Sequence, residues 1–245
     1  MSEPREADDR PVEFQYLGLA DRPPTLSEYV PTWEYQREVH ARVAAGELPP
    51  QVLFVEHPPV YTAGRRTEPH ERPFDGTPVV DVDRGGKITW HGPGQLVGYP
   101  IVFLPRGIGV VDYVRRVEEA LIRVLADYGL ATGRVDGRTG VWLAPTATRP
   151  ERKIAAIGIR VSKQTTMHGF ALNVTSQLGG FDNIVPCGIT DAGVTSIAAE
   201  LDGAPPILVE VARAIEPHLS DLLALRPFHR AIEFAVPEAV SAAPR

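Results

Sequence analysis

The chain has 245 residues, 25 basic against 31 acidic side chains, a net charge of −6 and 43% hydrophobic residues. That is the composition of a globular protein long enough to bury a large core without a disulfide or metal staple, and its single cysteine, Cys187, excludes an internal disulfide, a Cys-based zinc site and an iron–sulfur cluster. The acidic balance gives no reason to expect nucleic acid, and a charged start with no apolar run of about 18 residues argues against a secretory signal or a membrane span, leaving the cytoplasm as the expected compartment.

Residues 1–12 and 237–245 are rich in Pro, Ala and charge without periodicity and are expected to be disordered tails around one domain, 13–236. A strand is expected at 13–19 and a helix at about 31–45, where Pro31 suits a first helical position and Trp33, Val39 and Val43 fall near one stripe. Short β-type runs follow at Gln51–Glu56, Val79–Val82, Lys87–Trp90 and Gln95–Phe103. A second helix spans about 110–128, with Val114, Val117, Leu121 and Leu125 at helical spacing and Gly129 as its stop. Further strands are expected at Gly140–Leu143, Ile154–Ser162 and His168–Val174. A last helical region at about 206–225 contains Pro217, which should kink or divide it. Strands in adjacent runs, rather than alternating with helices, predict an α+β domain with a mixed β-sheet flanked by helices.

The densest segment runs from Arg84 through Gly85, Gly86, Lys87, Ile88, Thr89, Trp90 and His91 to Gln95, with glycines at 85, 86, 92 and 94. It reads either as a ligand-cradling loop or as tight turns joining strands, and it matches neither a P-loop nor a dinucleotide fingerprint. His57, His91 and His168 come from separated segments without metal-ligand spacing, so no metal is expected. In His168–Val174 one face carries Phe170, Leu172 and Val174, while the other carries only Gly169, Ala171 and Asn173. Such a bare face either lets a backbone pack close or leaves a slot open.

Simple alternation puts Lys153 on the side of Ile157, Ile159 and Val161, inward unless a bulge intervenes. An inward amine among apolar neighbours becomes a usable base, whereas a strand-end lysine snorkels to water. Cys187 lies between Pro186 and Gly188. It is either a buried small hydrophobe or a thiol presented at a cleft, where a nearby lysine would lower its pKa.

The segments RGGKITWHGPGQLVGYPI at 84–101, RKIAAIGIRV at 152–161, HGFALNV at 168–174 and PCGI at 186–189, with EHPPVYTAGR at 56–65, together resemble the octanoyltransferase (lipoyl(octanoyl) transferase) family. The resemblance implies a fold like the catalytic domain of biotin and lipoate protein ligases. It also implies transfer of an octanoyl group from octanoyl-acyl carrier protein to a lysine of lipoyl domains, the first step of endogenous protein lipoylation, with no cofactor. The acceptors would be apo lipoyl domains of 2-oxo acid dehydrogenase complexes and the glycine cleavage H protein. Cys187 would carry the acyl thioester and Lys153 would lower its pKa and shuttle the proton. The family's substrate-binding segments fall on Arg84 to His91, on Ala156, Ile157 and Gly158, and on Gly169, Phe170 and Ala171. Because carrier and lipoyl domains are acidic, a local basic face is expected, with Arg65, Arg66, Arg84, Lys87 and Arg160 as contributors. An ATP-dependent ligase, a non-catalytic binding domain and a hydrolase are the alternatives; the first would need no cysteine and the second would form no covalent adduct.

Overall fold

The apolar runs pair into two sheets in the computed structural model, which describes residues 8–73, 76–184 and 192–230 and the backbone of 233 and 234. The strands are β1 (Glu13–Leu17), β2 (Gln51–Val55), β3 (Val60–Ala63), β4 (Val79–Asp81), β5 (Thr89–His91), β6 (Gln95–Ile101), β7 (Gly133–Val135), β8 (Arg138–Leu143), β9 (Arg152–Ser162), β10 (Thr165–Asn173), β11 (Gly193–Val194) and β12 (Glu233–Phe234). The helices are α1 (Tyr29–Ala44), α2 (Val110–Asp127), α3 (Ile197–Glu200) and α4 (Leu208–Leu223). The main sheet runs β1-β2-β6-β10-β9-β8-β7-β12, with β11 against β9, and a small sheet runs β4-β3-β5. Parallel pairs (β1 with β2, β11 with β9, β12 with β7) stand beside antiparallel ones, so the sheet is mixed and the domain α+β.

Helices cover both faces of the main sheet. One face and the inner sides of α2 and α4 form the larger core, which holds Phe170, Leu172, Val174, Ile154, Val117, Leu121, Ile215 and Leu219. Across the sheet, Val39 and Val43 of α1 pack on Leu53, Val97, Tyr99 and Ala171. The alternation read in 168–174 is therefore present: its large residues enter the first core and its small ones face the other way. α2 ends as expected, with Gly129 at φ 78° and Leu130 N–H returning to the Leu125 carbonyl at 2.9 Å.

Of the two outcomes expected at Pro217, a kink or a division, the division does not occur: α4 runs through it as one helix. A proline inside a helix costs about 3 kcal/mol. Burying Ile215, Leu219, Leu222 and Leu223 recovers about 1.5–3 kcal/mol each, so packing outweighs the lost donor.

α2 is fastened to the sheet by a buried ion network. The Arg134 side chain on β7 is fully buried, with Nε donating to Glu118 Oε2 at 3.0 Å and Nη2 to Glu119 Oε2 and the Arg115 carbonyl, both at 2.8 Å. Glu118 also accepts from Gly140 N–H at 2.9 Å. Replacing Arg134 by Met removes two buried ion pairs and leaves Glu118 and Glu119 with Arg115 and Arg123 as their cationic partners among the described residues, so Arg134→Met is expected to cost about 3–5 kcal/mol in a denaturant titration. A loss below about 1 kcal/mol would show that the network is not what holds α2 down.

Candidate active site

Between the sheet, α1 and the loop 84–87 lies a cavity of about 420 Å³. Its floor is the bare sheet face: Ala156 and Gly158 of β9, Gly169 and Ala171 of β10, and Val97 and Tyr99 of β6. Tyr29 of α1 and His91 of β5 close one end, while Val110, Gly137 and Thr139 form an exposed lip at the other. A smaller recess, bounded also by Asn173, Trp142, Ala192 and Gly193, adjoins it and shares Thr89, Lys153, Ala156 and Ala171.

Lys153 reaches this face because β9 carries an extra residue. Val141 pairs with Ala155 but Trp142 pairs with Lys153, so Ile154 bulges and the alternation inverts. Ile154 and Ala155 both enter the α2/α4 core. Lys153 therefore does not share a side with Ile157, Ile159 and Val161, as plain alternation predicts, but points to the side of Ala156 and Gly158. Its ammonium lies 4.6 Å from the centre of the Trp142 ring. Among the described residues none hydrogen-bonds or ion-pairs with it, although the residue is only 8% exposed.

Segment 84–95 contains both a loop that borders the cavity and a tight turn that joins two strands. Arg84 to Lys87 forms a loop on the cavity wall, anchored by Gly85 N–H donating to the Ile159 carbonyl at 2.9 Å, while 92–94 is the tight turn between β5 and β6. Arg84 is buried, with its guanidinium donating to the carbonyls of Gly85, Lys87 and Thr62 at 3.0, 2.8 and 2.8 Å. It braces the loop from within and is not part of a basic surface. Lys87 pairs with Glu71 and Arg160 with Asp83, leaving Arg65 and Arg66 as the exposed members of the expected face.

Lys153 and twelve of the fourteen residues expected in the binding segments line the cavity; Ile88 and Trp90 instead pack with Tyr61, Phe181 and Ile184. Cys187 lies outside the described residues. The described residues on both sides of it are fastened, those that follow it beside Lys153. Ile184 packs with Trp90 and Phe181, and past the other side Gly193 N–H donates to the Glu151 carbonyl and Thr195 N–H to the Lys153 carbonyl, both at 2.9 Å. Arg152 and Glu200, paired at 2.7 Å, clamp α3 to the same stretch of β9. Tyr29, Val97 and Tyr99 are cavity residues that no local pattern in the sequence announces.

The three histidines surround the closed end as neutral rings. His57 Nδ1 meets the Ser27 carbonyl at 2.6 Å and Nε2 the Tyr99 hydroxyl at 2.7 Å. Burial lowers its pKa to about 4, against a smaller opposing effect of that carbonyl. His91, hydrogen-bonded to Gln95 Oε1 at 2.7 Å, is lowered to about 3 by burial and then by His57. His168 Nε2 donates to Asp83 Oδ1 at 2.8 Å, but Asp83 is already matched by Arg160, and burial with the charges of Arg84, Arg160 and Arg37 lowers this ring to about 3. His168 sits at φ 60°, a conformation a side chain adopts at some cost, held by Gln36 Oε1 accepting from its backbone N–H at 3.1 Å.

Each ring holds its proton less readily folded than in an unfolded chain, where the pKa is near 6.5. Their contribution to stability is therefore complete above about pH 6.5 and is lost as pH falls towards 4 and then 3. The melting temperature should fall steeply between pH 6.5 and 5, by up to about 1.4 kcal/mol of stability per pH unit for each histidine, and His91→Asn should remove one histidine's share. A melting temperature that is flat from pH 7 to 5 would contradict this.

Residues 28–220 match the family described as the lipoyl protein ligase A/B catalytic domain. A protein named octanoyltransferase from Cutibacterium acnes is 61% identical over 233 residues, covering 92% of this chain and 86% of its own length. Another from Mycobacterium avium is 67% identical over 191 residues, covering 78% of each. Among solved structures, a lipoate protein ligase from an archaeal lipoylation system of Thermoplasma acidophilum superposes with a TM-score of 0.61 at 16% identity, over 93% of this chain and 87% of that one, a likeness of fold.

Proposed function

The chain belongs to the octanoyltransferases of the lipoyl protein ligase A/B family, and from that premise we propose that it moves an octanoyl group from acyl carrier protein to a lysine of a lipoyl domain by way of a thioester on Cys187. The observation that carries this reading is Lys153: a nearly buried side-chain amine with no hydrogen-bond or ion-pair partner among the described residues, turned by a bulge into a cavity floored by small side chains. A base held for one proton needs such a place. Ala192 and Gly193, five and six residues after Cys187, line the recess that Lys153 shares, which supports a thiol within its reach.

The reaction follows from thioester chemistry. Lys153 takes the Cys187 proton; the thiolate adds to the carbonyl of the octanoyl thioester, and the carrier thiolate leaves with the proton that Lys153 returns. In the second half the uncharged amine of the acceptor lysine attacks the acyl-enzyme, forming the amide, while its proton passes by Lys153 to the Cys187 sulfur. One thioester is exchanged for another, so no ATP is consumed. The neutral histidines keep the acyl end of the cavity free of charge, and burying methylenes there adds about 0.8 kcal/mol each. The acidic carrier and acceptor would approach past Arg65 and Arg66, the exposed arginines beside the 84–87 loop.

Single-turnover octanoyl transfer without ATP tests this. Cys187→Ala should abolish transfer while leaving the melting temperature near that of the parent. Lys153→Arg should slow transfer about 100-fold or more, because guanidinium keeps the charge but does not release a proton. Transfer by Lys153→Arg at the parent rate would refute the base role, and ATP-dependent transfer by Cys187→Ala would identify a ligase.

A further inference from the structure

The register of the main sheet lays three cavity residues in one row across neighbouring strands. Ala156 of β9 lies opposite Ala171 of β10, and Ala171 opposite Val97 of β6. Directly opposed residues share a face, and the row spans two strand spacings, roughly 9.6 Å. It begins beside Lys153, which lines the cavity and its recess together with Ala156 and Ala171. The first two positions present only methyl groups, and at the third the floor rises to an isopropyl group.

The far end is closed. Val97 is 1% exposed and is backed by Val39, Val43 and Val55. Tyr99, 3% exposed, stands two residues along β6 with its hydroxyl held by His57. Tyr29, 4% exposed, comes from the first turn of α1, its ring stacked on His91 at 6.0 Å. Among the described residues that line the cavity, the one formal charge close to this end is the buried Arg84 guanidinium, whose donors are taken by the carbonyls of Gly85, Lys87 and Thr62, whereas the exposed Arg66 and the half-buried Lys87 stand at the loop side of the cavity. A saturated chain whose carbonyl lies at Lys153 has an apolar path across β9 and β10 towards β6, along the larger of the two spaces that open beside that lysine. The distance to Val97 is about the reach of eight extended carbons.

We propose that Val97, with Tyr29 above it, is the end stop that measures the acyl chain. The chain lies across β9 and β10 over Ala156 and Ala171, and its methyl terminus abuts Val97. The inference rests on the acyl-transfer reading for the identity of the occupant. The position of the stop comes from the sheet register and from the buried residues that close the far end.

The test uses the full chain as parent, Val97→Ala, Val97→Leu and Tyr29→Leu. Two measurements are made: kcat/KM for hexanoyl-, octanoyl- and decanoyl-acyl carrier protein, and calorimetric binding of free saturated carboxylates of six to twelve carbons. Room for two further methylenes should raise the decanoyl-to-octanoyl ratio about tenfold in Val97→Ala and Tyr29→Leu. In Val97→Leu the octanoyl-to-hexanoyl ratio should fall several-fold. Because Val97 is a core residue, Tyr29→Leu carries the test if a Val97 variant does not fold. Ratios within about twofold of the parent in folded variants would overturn the stop. If the parent transfers no acyl group at all, the transfer reading fails by itself. The carboxylate series then decides the stop: a longer optimum in Val97→Ala or Tyr29→Leu supports it, and an unmoved optimum, or no binding at any length, overturns it.

Discussion

The site depends on one extra residue in a strand. With plain alternation the amine of Lys153 would enter the core between the sheet and α2/α4, where Ile154, Ala155 and Ile159 lie in the structure. The slip opposite Val141 and Trp142 sends Ile154 into that core and turns Lys153 to the cavity. Gly140 makes the slip possible. At φ 124° it holds a conformation that suits glycine, and a Cβ there would sit 2.5 Å from the Ala155 carbonyl and 3.3 Å from Lys153 Cε. Glu118, itself held by the buried Arg134, receives Gly140 N–H. The helix-to-sheet ion network and the orientation of Lys153 are thus parts of one construction.

Around that lysine the fold spends its polar groups on fixing positions. Arg84 uses its donors on carbonyls of the glycine loop and on Thr62. Gln95 joins His91 to Asn173 (2.7 and 2.9 Å), and Asn173 donates to the Thr195 carbonyl at 2.9 Å, next to the N–H that Lys153 receives. A chain of neutral hydrogen bonds therefore runs from the closed end of the cavity to the stretch that follows Cys187. Neutrality is set by burial, which holds all three histidine rings well below their ordinary pKa. Lys153 faces the same cavity with no hydrogen-bond or ion-pair partner for its side chain among the described residues, beside a floor of small apolar side chains.

Much of this was legible in the sequence where side-chain pattern and local turn chemistry coincide. The alternation of 168–174 identified which residues enter the core, and Gly129 marked the end of α2. The mixed α+β class followed from strands in runs. Where the reading failed, the cause was a partner distant in the chain. A bulge in β9 depends on its pairing with β8 and leaves no mark in Lys153–Ile159 itself. Pro217 forecasts a division of the helix, as against a kink, only if the burial of its neighbours is ignored. Arg84 looked like a surface cation because nothing local reveals that four acceptors surround it. β3 was missed because Pro58 and Pro59 precede only four residues of strand, and Val97 and Tyr29 become site residues only when α1 is laid over β6.

The central claim is that Cys187 carries the acyl group between donor and acceptor. It is tested most directly by intact-protein mass after brief exposure to octanoyl-acyl carrier protein without ATP, followed by peptide mapping and a chase with an apo lipoyl domain. The account predicts an octanoyl adduct on the Cys187 peptide that disappears as the lipoyl domain gains the same mass. An unmodified Cys187 peptide, with the lipoyl domain acylated only when ATP and free octanoate are supplied, would contradict it.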